Sequence, residues 1–92
     1  MSLQFEWNEQ KAERNAIKHG VSFEEAKTVF VDIGSITIDD LEHSIDEDRY
    51  IDIGISDRGR LLAVVYTERG GFIRIISSRC VTNREIRIYE QS

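Results

Sequence analysis

The stretch Arg60-Leu-Leu-Ala-Val-Val-Tyr-Thr-Glu-Arg-Gly-Gly-Phe-Ile-Arg-Ile-Ile-Ser-Ser-Arg79 decides the fold. Two runs rich in β-branched residues, Leu61 to Thr67 and Phe72 to Ser77, flank Arg69-Gly70-Gly71. Glycine there supplies the positive φ that a tight hairpin turn needs, so the stretch reads as a β-hairpin. An even-length loop puts Leu62, Val64, Tyr66, Ile73 and Ile75 on one face, and Leu61, Ala63, Val65, Thr67, Phe72, Arg74 and Ile76 on the other. Both faces are largely apolar, which predicts a central position in a sheet with arginines at the borders of the core.

Working back from the hairpin, Asp57-Arg58-Gly59 is a turn, and Arg49 to Ser56 alternates through Ile51, Ile53 and Ile55. Asp40 to Asp48 is acidic, with little apolar content, and reads as an exposed loop. Ile36 and Ile38 form a further alternating strand, so consecutive antiparallel connections make a meander. Nearer the start the period is helical. Ser22-Phe-Glu-Glu25 is a capping box followed by Phe23, Ala26, Val29 and Phe30 on one face. Asn8 caps an earlier helix over Glu9 to Lys18, with Ala12, Ala16 and Ile17 at helical spacing and Gly20 at its C-terminal cap. Leu3, Phe5 and Trp7 alternate as a short first strand, and Thr82-Asn-Arg-Glu85 opens a closing helix striped by Ile86 and Tyr89. The predicted order is β-α-α-β-β-β-β-α in a single α+β domain over residues 1–92, with the two N-terminal helices packed on an antiparallel sheet.

Ninety-two residues leave room for one layer of helices on one sheet. No apolar run approaches the roughly 20 residues that cross a bilayer, which predicts a cytoplasmic protein without membrane contact. The single cysteine, Cys80, excludes an internal disulfide and a four-thiolate metal site. The net charge of −5 is unevenly spread: residues 1–48 hold four basic and twelve acidic side chains, whereas residues 49–92 hold eight arginines, no lysine and five acids. A cation set made only of arginine suits two-pronged recognition of phosphate or carboxylate. The competing reading is that these arginines pair with Asp52, Asp57 and Glu85 as ordinary surface ion pairs.

The chain carries no glycine-rich phosphate loop, no HExxH motif and no paired cysteines, and neither of its two histidines has another histidine or a cysteine at ligand spacing, so no cofactor and no resident metal are expected. His43 beside Glu42, Asp46 and Asp48 reads as part of a solvated acidic loop. His19, after Lys18 and before Gly20, has two readings: a proton carrier, or a helix-ending cation favoured by the helix dipole. If the closing helix folds back over the end of the sheet, Arg79, Arg84, Arg87 and Tyr89 approach Arg74 and form a polyanion site. Metal-free cleavage of RNA needs a base, an acid and fixed positive charge on the phosphate. Arginine supplies only the last of these, leaving His19, Glu68, Glu85, Lys18 or a tyrosine for the proton steps.

Phe5-Glu6-Trp7, Lys11-Ala12, Asn15, Lys18-His-Gly-Val-Ser-Phe-Glu-Glu-Ala26, Val29-Phe30, Arg58-Gly-Arg-Leu-Leu62, Tyr66-Thr-Glu-Arg69, Ile73-Arg-Ile-Ile-Ser77, Arg79, Thr82, Glu85 and Tyr89 together resemble the BrnT family. Asn8, Ile33 and Ser78-Arg79-Cys80 depart from its usual pattern. The resemblance implies a RelE-like fold and the toxin of a type II toxin-antitoxin system, a metal-independent endoribonuclease acting on RNA. It further implies neutralisation by a BrnA-type antitoxin with a ribbon-helix-helix domain, so that DNA is bound only through the antitoxin. Lys18, His19, Arg60, Arg74, Arg79, Glu85 and Tyr89 match motif positions and form the expected catalytic set, with Arg60, Arg74 and Arg79 holding the scissile phosphate. The alternatives are a non-catalytic module binding an acidic partner helix and a nucleic-acid-binding domain without cleavage.

Overall fold

The computed structural model describes residues 3–44 and 47–92. The chain runs β1 (Phe5–Glu6), α1 (Glu9–His19), α2 (Phe23–Ala26), a 3-10 turn (Lys27–Val31), β2 (Ile36–Asp39), a second 3-10 turn (Leu41–His43), β3 (Tyr50–Ile55), β4 (Leu61–Arg69), β5 (Phe72–Cys80) and α3 (Asn83–Glu90). The strands form one sheet in the order β1-β5-β4-β3-β2. Gly70 and Gly71, with φ of 58° and 85°, are the whole loop of the β4–β5 hairpin. Two consecutive left-handed residues match the twist of the flanking strands, which lets pairing continue to Arg69 and Phe72.

The sheet is mixed, which corrects the antiparallel expectation: β1 runs parallel to β5, pairing Phe5 with Ile73 and Glu6 with Arg74. Two helices and an entire meander separate these strands along the chain, so no short connection dictates their relative direction. The alternation of Leu3, Phe5 and Trp7 reports a face but no direction.

A bulge decides which side chains share the open face. β4 and β5 pair Tyr66 with Ile75 but Val65 with Ser77, so Ile76 is an extra residue. One extra residue reverses the alternation beyond it. Ser77 and Arg79 therefore turn to the face that carries Arg74, while Ser78 joins Ile75 on the other.

That other face carries the core. Val21, Phe23, Ala26, Val29, Leu62, Val64 and Ile75 are buried together, with Phe5, Trp7, Ala12 and Phe30 packed around them. Phe30 stands between Phe5 and Tyr66, its ring centroid 5.3 and 5.0 Å from theirs. Gly54 lets the first 3-10 turn come this close: a Cβ there would lie 2.9 Å from both Val29 Cγ1 and Ser35 Cβ.

Two local expectations need correction. On α1 the buried residue is Asn15, whereas Ile17 is 81% exposed. The Asn15 amide donates to the carbonyls of Val21 (2.9 Å) and Ser78 (2.8 Å), and its oxygen accepts from Ser78 N (3.1 Å). It occupies the place of a neighbouring strand beside β5, beyond the end of the short β1. At α2 the Ser22 hydroxyl caps Glu25 N at 3.0 Å, but the Glu25 carboxylate does not return the bond; it accepts from Ser56 Oγ and from Arg60. An arginine fork within reach outcompetes a backbone amide for a carboxylate.

Candidate active site

Strand register builds the site. On the face away from α1 and α2, β5 presents Phe72, Arg74, Ser77 and Arg79, β4 presents Val65 and β3 presents Ile51, whereas Ile53, Ala63 and Thr67 on the same face are buried. The β2–β3 loop rises beside this surface. Asp40 N donates to Arg49 O at 2.9 Å, while the Ser44 hydroxyl donates to Asp40 O (2.6 Å) and accepts from Arg49 N (3.0 Å). These bonds bring His43 and Arg49 over the sheet. Thr67 adds an anchor by donating to Asp48 O at 2.7 Å.

The result is an open groove of about 330 Å³ lined by Asp40, Glu42, His43, Arg49, Ile51, Val65, Ile76, Ser77 and Arg79. His43 Nδ1 lies 3.1 Å from both Asp40 carboxylate oxygens. In the neutral ring a carboxylate at Nδ1 favours the tautomer with the proton there, which leaves Nε2 as the acceptor. Arg49 Nε is buried and has no hydrogen-bond partner among the described residues. Arg79 meets Glu85 as a two-pronged pair, Nη1 to Oε1 at 2.7 Å and Nη2 to Oε2 at 3.0 Å. Glu85 Oε1 also accepts from Thr82 N at 2.9 Å and thereby closes the capping box of α3. Burial pushes the Glu85 carboxyl up, but the Arg79 fork and the Thr82 amide outweigh it and hold it below the usual carboxylate range. Arg79 in turn is held firmly charged by Glu85. Among the described residues no group of three or more His, Cys, Asp or Glu side chains is placed to hold a metal.

The expected residues divide between two sides of the sheet. Arg74 and Arg79 share the open face, and Arg79 brings Glu85 with it. Arg60 lies on the helix side, where its Nε donates to Glu25 Oε2 at 2.9 Å and its Nη2 to Gly20 O at 3.1 Å. Its fork clamps the end of α1 to the start of α2 and holds the Glu25 carboxyl below its ordinary range, against the opposing effect of burial. Lys18 and His19 occupy the last turn of α1 on that same side. Tyr89 donates to Asp32 Oδ2 at 2.8 Å, an oxygen that also accepts from Ile55 N at 2.8 Å, and so ties α3 to the loop ahead of β2. A single pocket of Arg60, Arg74 and Arg79 is therefore not what the fold forms. Each is met by a carboxylate, Glu25, Glu6 and Glu85 respectively, and Arg60 is on the wrong face.

The sequence alone does not single out Arg49, and it places His43 in a solvated loop. The available signal was Asp40-Leu-Glu-His43, a carboxylate three residues before an imidazole, which one 3-10 turn brings into contact. Asp46, another acid of that loop, lies outside the described residues.

Comparison with known proteins adds two findings. The sequence profile of a family described as the ribonuclease toxin BrnT of type II toxin-antitoxin systems matches residues 7–85. The crystal structure of the Brucella abortus ribonuclease toxin BrnT superposes with a TM-score of 0.67 at 21% identity, covering 89% of this chain and all of that one. At that identity the likeness is one of fold, a mixed α+β arrangement of one sheet and three helices. No curated protein sequence matches the chain.

Proposed function

Since the chain belongs to the BrnT ribonuclease toxin family of type II toxin-antitoxin systems, we propose that its open-face groove is a metal-independent endoribonuclease site. The observation that carries this reading is an imidazole oriented by Asp40, standing beside Arg49 and Arg79 in one groove. His43 Nε2 takes the proton of a 2′-hydroxyl, whose oxygen attacks the adjacent phosphorus. The bond to the 5′-oxygen breaks, leaving a 2′,3′-cyclic phosphate, and the departing oxygen receives the proton. Arg49 and Arg79 hold the non-bridging oxygens as negative charge grows on them. Glu85 orients Arg79, and Arg74 lies further along the same strand. Arg60, Lys18, His19 and Tyr89 then act at a distance, by holding α1, α2 and α3 in place.

In this reading the fold is of the RelE-like kind, the chain acts in the cytoplasm, and a BrnA-type ribbon-helix-helix antitoxin covers the groove. No helix of the described residues is long and apolar enough to cross a membrane. The test is incubation of the purified chain with single-stranded RNA in EDTA. Fragments ending in cyclic phosphate are expected, and they should disappear in His43→Ala and Arg79→Ala variants that remain folded. RNA that stays intact with the unaltered chain, alongside tight binding of an antitoxin, would leave an interaction module in place of an enzyme.

A further inference from the structure

The open face extends well beyond the groove. At the hairpin tip Arg69 and Phe72 are direct cross-strand partners, and the two-residue turn puts both side chains on the face of Arg74 and Arg79. Phe72 is 39% exposed, an aromatic ring left to solvent at the end of a strand. Between tip and groove stands Arg74, whose cross-strand partner is Thr67.

We propose that β5 is the floor of a track for single-stranded RNA, in which Phe72 is a platform for one base and Arg69 and Arg74 hold the intervening phosphates. This deepens the ribonuclease reading and rests on it. Phe72 and Arg79 lie opposite Arg69 and Ala63 of β4, six residues apart because Ile76 is bulged, which is roughly 20 Å at about 3.3 Å per residue. That span takes on the order of four nucleotides, the small end of known single-strand site sizes. Stacking on an aromatic ring tolerates any base, because every base has a π-face. The cations are available for exchange. Arg69 meets Glu47 at 2.9 Å and Arg74 meets Glu6 at 3.3 Å, and all four side chains are partly open to solvent. Ion pairs of that kind are weak, so a phosphate oxygen replaces the carboxylate at little cost.

The experiment measures binding of a nested series of RNA oligonucleotides to the His43→Ala chain, which holds them without cutting. Affinity should rise with each nucleotide added on the Phe72 side and level off at about four. Phe72→Ser should lose roughly tenfold in affinity for an RNA whose outermost nucleotide carries a base. It should lose no more than about twofold when that nucleotide is abasic, whereas Phe72→Trp should bind the intact RNA at least as well as phenylalanine does. Arg69→Gln should flatten the dependence of log affinity on log salt by about 0.7, one phosphate contact on a single strand. Equal losses with and without the base, or affinity that stops rising at the groove, would overturn the track. Cleavage by the unaltered chain is read separately, so a failed track with active enzyme, and an inactive enzyme with an intact track, are different outcomes.

Discussion

The two faces of the sheet solve opposite problems with the same strands. On the helix side an arginine, Arg60, is committed to a buried carboxylate, Glu25, and to a backbone carbonyl, and its charge is used up in joining α1 to α2. On the open side Arg79 is also paired, but with the residue that caps α3, while Arg49 keeps a buried Nε without a partner among the described residues. The same residue type thus serves as mortar on one side and as a docking point on the other. What separates them is the bulge at Ile76 and the turn at Leu41–His43, neither of which alters composition.

The sharpest way to break this comparison is on the open face. His43→Ala should reduce RNA cleavage by about 10²- to 10⁴-fold, the usual worth of a positioned proton carrier, and leave the thermal unfolding midpoint close to that of the unaltered chain. A large fall in midpoint would show that the histidine is structural. On the helix side Phe23→Ala should do the reverse. Phe23 is 2% exposed and touches Trp7 edge to face, with ring centroids 5.9 Å apart. Its truncation should cost about 3–5 kcal/mol in denaturant unfolding.

A third prediction concerns pH. Asp52 faces the helix side opposite Val64, is 3% exposed, and its Oδ1 has no hydrogen-bond partner among the described residues. Burial pushes its carboxyl up to about 6 from an ordinary 3.8, while the hydroxyls of Ser35 and Thr37 pull the other way. The folded state therefore holds the proton more tightly than the unfolded chain. Its stabilising contribution is complete below pH ~3.8 and is lost as pH rises through about 6, and the difference amounts to at most about 3 kcal/mol. Asp52→Asn should stabilise the chain at pH 7 and make this part of the stability profile flat. A variant less stable at pH 7 would mean that the ionised carboxylate is satisfied. The smallest effect expected is that of Tyr89→Phe, which leaves Asp32 with its bonds from Ile55 and Gly34. A loss of about 1 kcal/mol in unfolding is expected, with cleavage retained, whereas loss of activity would move Tyr89 into the chemistry.

Much of this molecule is legible in its residues, and the illegible part has a physical reason. The hairpin, the meander and the helix caps at Asn8, Ser22 and Thr82 follow from alternation, glycine and capping chemistry, all local in sequence. The direction of β1 depends on a partner nearly seventy residues away, and no local pattern encodes it. The bulge is invisible for a related reason. Ile75-Ile76-Ser77 reads as uninterrupted alternation, and only pairing with β4 shows that Ile76 is skipped. Without the bulge Arg79 would face the helices. The sequence singles out Arg74, Arg79 and Glu85 by residue type, whereas the shared face of Arg74 and Arg79 comes from the bulge and the proximity of His43 and Arg49 comes from the bonds that fold the β2–β3 connection over the sheet.

The amide of Asn15 has a consequence for the molecule among its neighbours. By holding both the N–H and the C=O of Ser78, it withdraws from circulation the stretch of β5 that the two-residue β1 is too short to cover. A leucine of similar size there would leave a strand margin open to adoption by a second chain. The polar side chain in the middle of α1 thus closes that margin to edge-to-edge pairing.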